Sequence, residues 1–163
     1  EGLRRYGFHA TAADFSYRLC DGIYRTFANT GRFYEFYDPT AYDAKQLHRK
    51  RGNGFKQITL GSKPVAEFVG WTGLVNTMVL DTLFGLERTR GALTIQPRFP
   101  DAAKGRRFVM TVPRETAAIT LHVGDHGRVE GEFKTTDGAL SFQAAFGERV
   151  LLRAGRVAVG AAG

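Results

Sequence analysis

The sequence predicts a mixed fold, helical in its first half and antiparallel β in its second, and three observations carry that prediction. Apolar residues recur at helical spacing around Phe15–Phe27 and again around Trp71–Leu83. After Arg88 short β-rich runs take over, and turn signals such as Gly124-Asp125-His126-Gly127 and Asp137-Gly138 separate them. Helices followed by strands argue for two units, 1–88 and 89–163, the second a C-terminal antiparallel β-sheet or sandwich.

The first helix is expected from Thr11, a good N-cap with Asp14 three positions on. Phe15, Leu19, Ile23 and Phe27 form its apolar stripe, Tyr17, Cys20 and Tyr24 widen it, and Gly31 stops it. The aromatic run Phe33-Tyr34-Glu35-Phe36-Tyr37 ends at Asp38-Pro39, where proline disfavours helix, so it reads as a short extended segment or turn. Thr40 to Pro64 is polar and basic with little periodicity, the pattern of a lid or binding loop. A second helix is expected over Phe68–Leu83, with Trp71, Leu74, Val75, Met78, Val79 and Leu83 on its apolar face and Gly85 closing it. Strands are expected at Leu93–Ile95, Phe108–Val112, Ile119–Val123, Arg128–Lys134, Leu140–Phe146 and Val150–Leu152, with Val157–Gly163 a frayed end.

Composition narrows the function classes. The 163 residues are 43% apolar and 24% charged, a globular mix that excludes a disordered chain. The single cysteine, Cys20, excludes an internal disulfide framework and a multi-cysteine zinc site. No run of about 18 apolar residues predicts a membrane-spanning helix. His9, His48, His122 and His126 lack ligand spacing, so no metal is expected, and with no P-loop or dinucleotide fingerprint no other cofactor is expected. The net charge of +7 invites a polyanionic partner, yet the basic residues are scattered from Arg4 to Arg156, as on a solvated surface. Residue 1 is Glu, with no leader ahead of the first helix, so the chain reads as a piece of something longer.

The candidate chemistry lies at Glu35. A carboxylate framed by four aromatic residues must be well hydrogen-bonded or carry a shifted pKa. Sugar sites use that pairing, rings covering the apolar side of a pyranose while a carboxylate handles water or hydroxyls. An exposed Glu on a strand edge with buried neighbours would leave the same pattern.

Two motifs carry a resemblance. Gly31-Arg32-Phe33-Tyr34-Glu35-Phe36-Tyr37-Asp38-Pro39 resembles the segment of inverting (α/α)6-barrel glycosidases that presents the general base. Gly70-Trp71-Thr72-Gly73-Leu74-Val75-Asn76 resembles the Gly-Trp-Thr/Ser turn that follows it in that clan, which holds trehalases, processing α-glucosidases and mannosylglycerate-hydrolase-like enzymes. The resemblance implies that residues 1–88 are the last helices of an (α/α)6 toroid, incomplete here. It implies that Glu35 is the base that deprotonates water, roughly 6.5–9.5 Å from an acid on the other face of the sugar. The family's acid is an Asp far upstream of the base motif; neither Asp14 nor Asp21 has an acid-like context, so it is expected before Glu1 and the chain alone is expected to be inactive.

Tyr37 and Trp71 are the next candidates, as substrate-side rings, with Tyr34 and Glu67 completing the substrate-binding set. Each also has a structural reading: Tyr34 as support for the core, Trp71 as a helix-start core residue, Glu67 as an exposed loop carboxylate. The chain departs from the family in Thr40-Ala41-Tyr42, where Thr-Gly is usual, and in a longer, more basic Asp43–Pro64 stretch. His48-Arg49-Lys50-Arg51 there is either a cationic rim selecting an acidic sugar or solvated lid surface. The expected partners are a glycoside or oligosaccharide substrate and the preceding part of the same chain, with no membrane. The rival readings are a carbohydrate-binding or structural module in the β half and a basic nucleic-acid-binding domain through Lys45–Lys56, neither with the aromatic platform it needs.

Overall fold

The computed structural model describes residues 2–38, 40–45, 47–49, 52, 54–89, 92–112 and 116–160, leaving out the side chains of Val69, Trp71 and Thr72. Its contacts divide into two compact units, Glu1–Tyr17 with Val79–Gly163, and Arg18–Met78.

The larger unit is built on two four-stranded antiparallel sheets. One orders β1 (Glu87–Thr89), β2 (Ala92–Ile95), β7 (Arg149–Arg153) and β8 (Arg156–Gly160) side by side. The other is a meander of β3 (Arg107–Val112), β4 (Ala117–Val123), β5 (Val129–Thr135) and β6 (Gly138–Ala144). Alternation sets which face each strand buries: Ile119, Leu121, Val129, Phe133 and Phe142 point inward, and Glu130, Glu132 and Gln143 outward. Leu93, Ile95, Val150 and Leu152 of the first sheet join the same core, together with Phe84, Phe99 and the partly buried Phe108. Phe99 lies 4.6 Å from Phe108 between ring centres, tilted by 33°, and meets Phe84 edge-on at 5.6 Å, the T-shaped geometry that ring quadrupoles favour.

Two strands were not foreseen. β8 forms where a frayed end was expected, because Gly155 at φ +70° closes a tight turn that pairs Arg153 with Arg156 and then Val150 with Val159. β1 is fully exposed, so no burial pattern marks it in the sequence.

The expectation of toroid helices is overturned. Among the described residues there are four α-helices, α1 (Gly2–Arg5), α2 (His9–Thr30), α3 (Gly54–Leu60) and α4 (Val69–Thr77), and only α2 exceeds nine residues. A toroid needs successive long amphipathic hairpins, whereas α3 buries nothing and α4 passes after nine residues into a π-helical segment, Met78–Phe84. The remaining architecture is sheet, so the chain is not a portion of a helical toroid.

The helices bury only part of the faces expected of them: Tyr17, Cys20, Ile23, Val75 and Leu83 are buried, whereas the largest members, Phe15 and Phe27, are not. Along α2 the buried side is Ala12, Ala13, Ser16, Tyr17, Cys20, Ile23 and Thr26, while Phe15 is 58% and Phe27 40% exposed. Small residues at that spacing allow close approach of neighbouring backbone. Gly31, at φ +70°, ends the helix with its N–H on the Phe27 carbonyl at 2.7 Å. The π-helical segment shifts the angular phase of the second apolar stripe, so Leu83 and Phe84 are buried and Leu74 is exposed.

Candidate functional site

The smaller unit holds all the candidate site residues. Its two motif segments run antiparallel: the Glu35 N–H donates to the Val65 carbonyl at 3.0 Å, Tyr34 pairs with Ala66, and the Phe68 N–H donates to the Phe33 carbonyl at 3.3 Å. Phe68 is the residue before α4, so the carboxylate segment abuts the start of the Gly70-Trp71-Thr72 helix. The Phe33 ring stacks on Phe27 of α2 at 4.4 Å, and the Tyr24 hydroxyl donates to Asn76 Oδ1 at 2.7 Å.

After Tyr34 the chain bends. The Tyr37 hydroxyl accepts the Tyr34 N–H at 2.9 Å, and the two rings meet edge-to-face at 6.4 Å. Asp38 closes the next turn, its Oδ1 accepting from the Thr40 and Ala41 N–H groups and the Thr40 hydroxyl, an Asx turn. Those backbone donors hold the Asp38 carboxyl below the usual carboxylate range.

Glu35 is paired with Arg49. Arg49 Nη1 donates to Glu35 Oε1 at 2.9 Å and Nη2 to Oε2, a bidentate fork. The guanidinium is itself held, with Nε donating to the Gly61 carbonyl at 3.1 Å and its carbon 5.6 Å from the centre of the Phe36 ring. The Arg49 N–H donates to the Ser62 carbonyl at 2.7 Å, fixing the base of the side chain. Side-chain exposure is only 5% for Arg49 and 17% for Glu35, so water competes weakly for the pair. The hydrogen bonds from Arg49 lower the Glu35 carboxyl below its ordinary value against an opposing desolvation, and they raise the proton affinity of Arg49. Glu35 is therefore ionised at neutral pH. Lys56 also lowers the carboxyl. Elsewhere in the basic stretch Lys63 donates to the Lys45 carbonyl and lies 3.1 Å from His48 Nε2.

The structure thus brings Glu35, Tyr34 and Tyr37 together in one bend. Glu67 is exposed, at φ +62°, and its side chain faces Arg32 at 3.6 Å. Trp71 sits in the first turn of α4, and its side chain lies outside the described atoms, as do Lys50 and Arg51 of the basic run. In the sequence Arg49 is one charge of the His48-Arg49-Lys50-Arg51 run. Nothing local marks its link to Glu35, because the fork spans fourteen residues and depends on the Arg49–Ser62 pairing.

Among the described residues no group of three or more His, Cys, Asp or Glu could hold a metal ion, and no helix is long and apolar enough to cross a membrane. A concavity of about 640 Å³ on the outer face of the β3–β6 sheet is lined mainly by polar side chains, including Arg107, His122, Glu130 and Gln143. The only Phe, Tyr or Trp in its lining, Phe142, is buried. No family model matches the chain, and neither a curated protein nor a solved structure does.

Proposed function

We propose that the chain carries the water-activating side of an inverting glycoside hydrolase, with Glu35 as the general base. One observation supports this most: the antiparallel pairing of 33–35 with 65–68 sets the aromatic-framed carboxylate beside the helix that opens with Gly70-Trp71-Thr72. Those are the two segments whose order in the sequence resembles the glycosidase clan.

In the proposed reaction a water between Glu35 and the anomeric carbon gives its proton to the carboxylate. Its oxygen forms the new bond to that carbon, and the glycosidic bond breaks on the opposite face. The leaving oxygen takes a proton from a carboxylic acid that we assign to no residue of this chain. Tyr34 and Tyr37, an edge-to-face pair, frame the carboxylate, and Trp71 supplies the stacking face for the sugar. Glu67, turned toward Arg32 at the surface, serves as an outer contact.

Glycosyl fluorides test this without the missing acid, since fluoride leaves with little help from a proton donor. A panel of α- and β-glycosyl fluorides, followed by fluoride release, should contain at least one that the chain hydrolyses and that Glu35→Gln does not. Equal release from both proteins would remove Glu35 from the mechanism.

A further inference from the structure

A carboxylate accepts protons best at the lone pairs that face between its two oxygens, and a guanidinium that meets it end-on through both terminal nitrogens takes that edge. Arg49 does this to Glu35, one terminal nitrogen on each oxygen. The fork is not a loose surface contact. Both side chains are largely out of water, Nε is fixed on Gly61, the main chain is fixed on Ser62, and the Phe36 ring backs the guanidinium. A base held in this way is ionised yet poorly able to take a proton, since protonation would forfeit the charge-assisted bonds.

We propose that Arg49 is an autoinhibitory contact: Glu35 accepts a proton from water only when the Arg49 guanidinium is drawn off it. This rests on the reading of Glu35 as the proton acceptor. The contact accounts for a cation placed where the base should meet water, and it makes Arg49 a control on the reaction without any part in bond making.

The test compares the whole chain with its Arg49→Gln and Arg49→Lys variants. Carboxylates are coupled to taurine with a carbodiimide at mildly acidic pH, and the rate at Glu35 is read by peptide mass spectrometry against the exposed Glu132 as internal reference. Glu35 should label about tenfold faster in Arg49→Gln, because its two oxygens are no longer held by the guanidinium fork. Arg49→Lys should fall between, because an ammonium cannot fork both oxygens; if Arg49→Gln does not fold, Arg49→Lys carries the comparison. Fluoride release from the glycosyl fluorides should rise in the same order. Equal labelling in all three proteins, or slower release in the variants, overturns the inhibitory role while Glu35→Gln still tests the base. Faster labelling with no release from any variant overturns the base reading and the inhibition with it.

Discussion

The Tyr37 hydroxyl accepts the Tyr34 backbone N–H, so the second tyrosine of the motif closes the bend that presents Glu35 between them. The side chain that the sequence offered as a substrate contact acts in the fold as a structural clamp. Tyr37→Phe should therefore lower the urea stability by about 1 kcal/mol, the usual worth of one such bond. Unchanged stability would mean that the bend holds without the hydroxyl.

Acid should loosen the smaller unit through its carboxylates. Glu35 and Asp38 both have folded pKa values below their unfolded ones. Each contributes stability that is fully present above the unfolded value near 4 and is lost as pH falls through the depressed folded value. Thermal melts from pH 6 to pH 2 should show a falling midpoint below about pH 4, with a shallower fall in Glu35→Gln. Parallel curves for the two proteins would show that the Arg49 pair adds no stability.

Cys20 is buried on α2, and burial pushes its thiol up to about 11. Iodoacetamide at pH 8 should leave it unmodified in the folded chain and alkylate it readily in denaturant, because only the thiolate attacks. Rapid reaction under native conditions would contradict the packing of α2.

In the β unit, Gly131 leaves room for the ring of Phe142, its neighbour across the β5–β6 pair. A methyl on Gly131 would sit 2.1 Å from Phe142 Cζ. Gly131→Ala should cost about 1–3 kcal/mol, the range for overpacking, and the loss should shrink in a Phe142→Leu background. Additive losses would show that the ring is not what the methyl meets.

How far the sequence could be read depended on whether the deciding physics was local. Alternation in Val129–Thr135 and the turn at Asp137-Gly138 are local, and they mark β5, β6 and their hairpin. The Gly31 stop is local too. The full buried face of α2 is not local, because Ala12, Ala13 and Ser16 carry little hydrophobic signal yet are buried, while the bulkier Phe15 and Phe27 are exposed. The π-helical segment after α4 broke the assumed helical phase, so Leu83 and Leu74 differ in burial despite sharing a stripe. The toroid was expected from two short motifs, and such motifs describe the chemistry of a segment without fixing the architecture around it. At Glu35 the aromatic frame was legible and the ionised carboxylate foreseeable, but the Arg49 fork required tertiary structure.

Proton NMR of the first sugar formed from a hydrolysed glycosyl fluoride tests the central claim most directly. The account predicts that the initial product has the anomeric configuration opposite to the substrate, and that Glu35→Gln forms none of it. Retention of configuration, or an inverted product formed as fast by Glu35→Gln as by the unaltered chain, would contradict it.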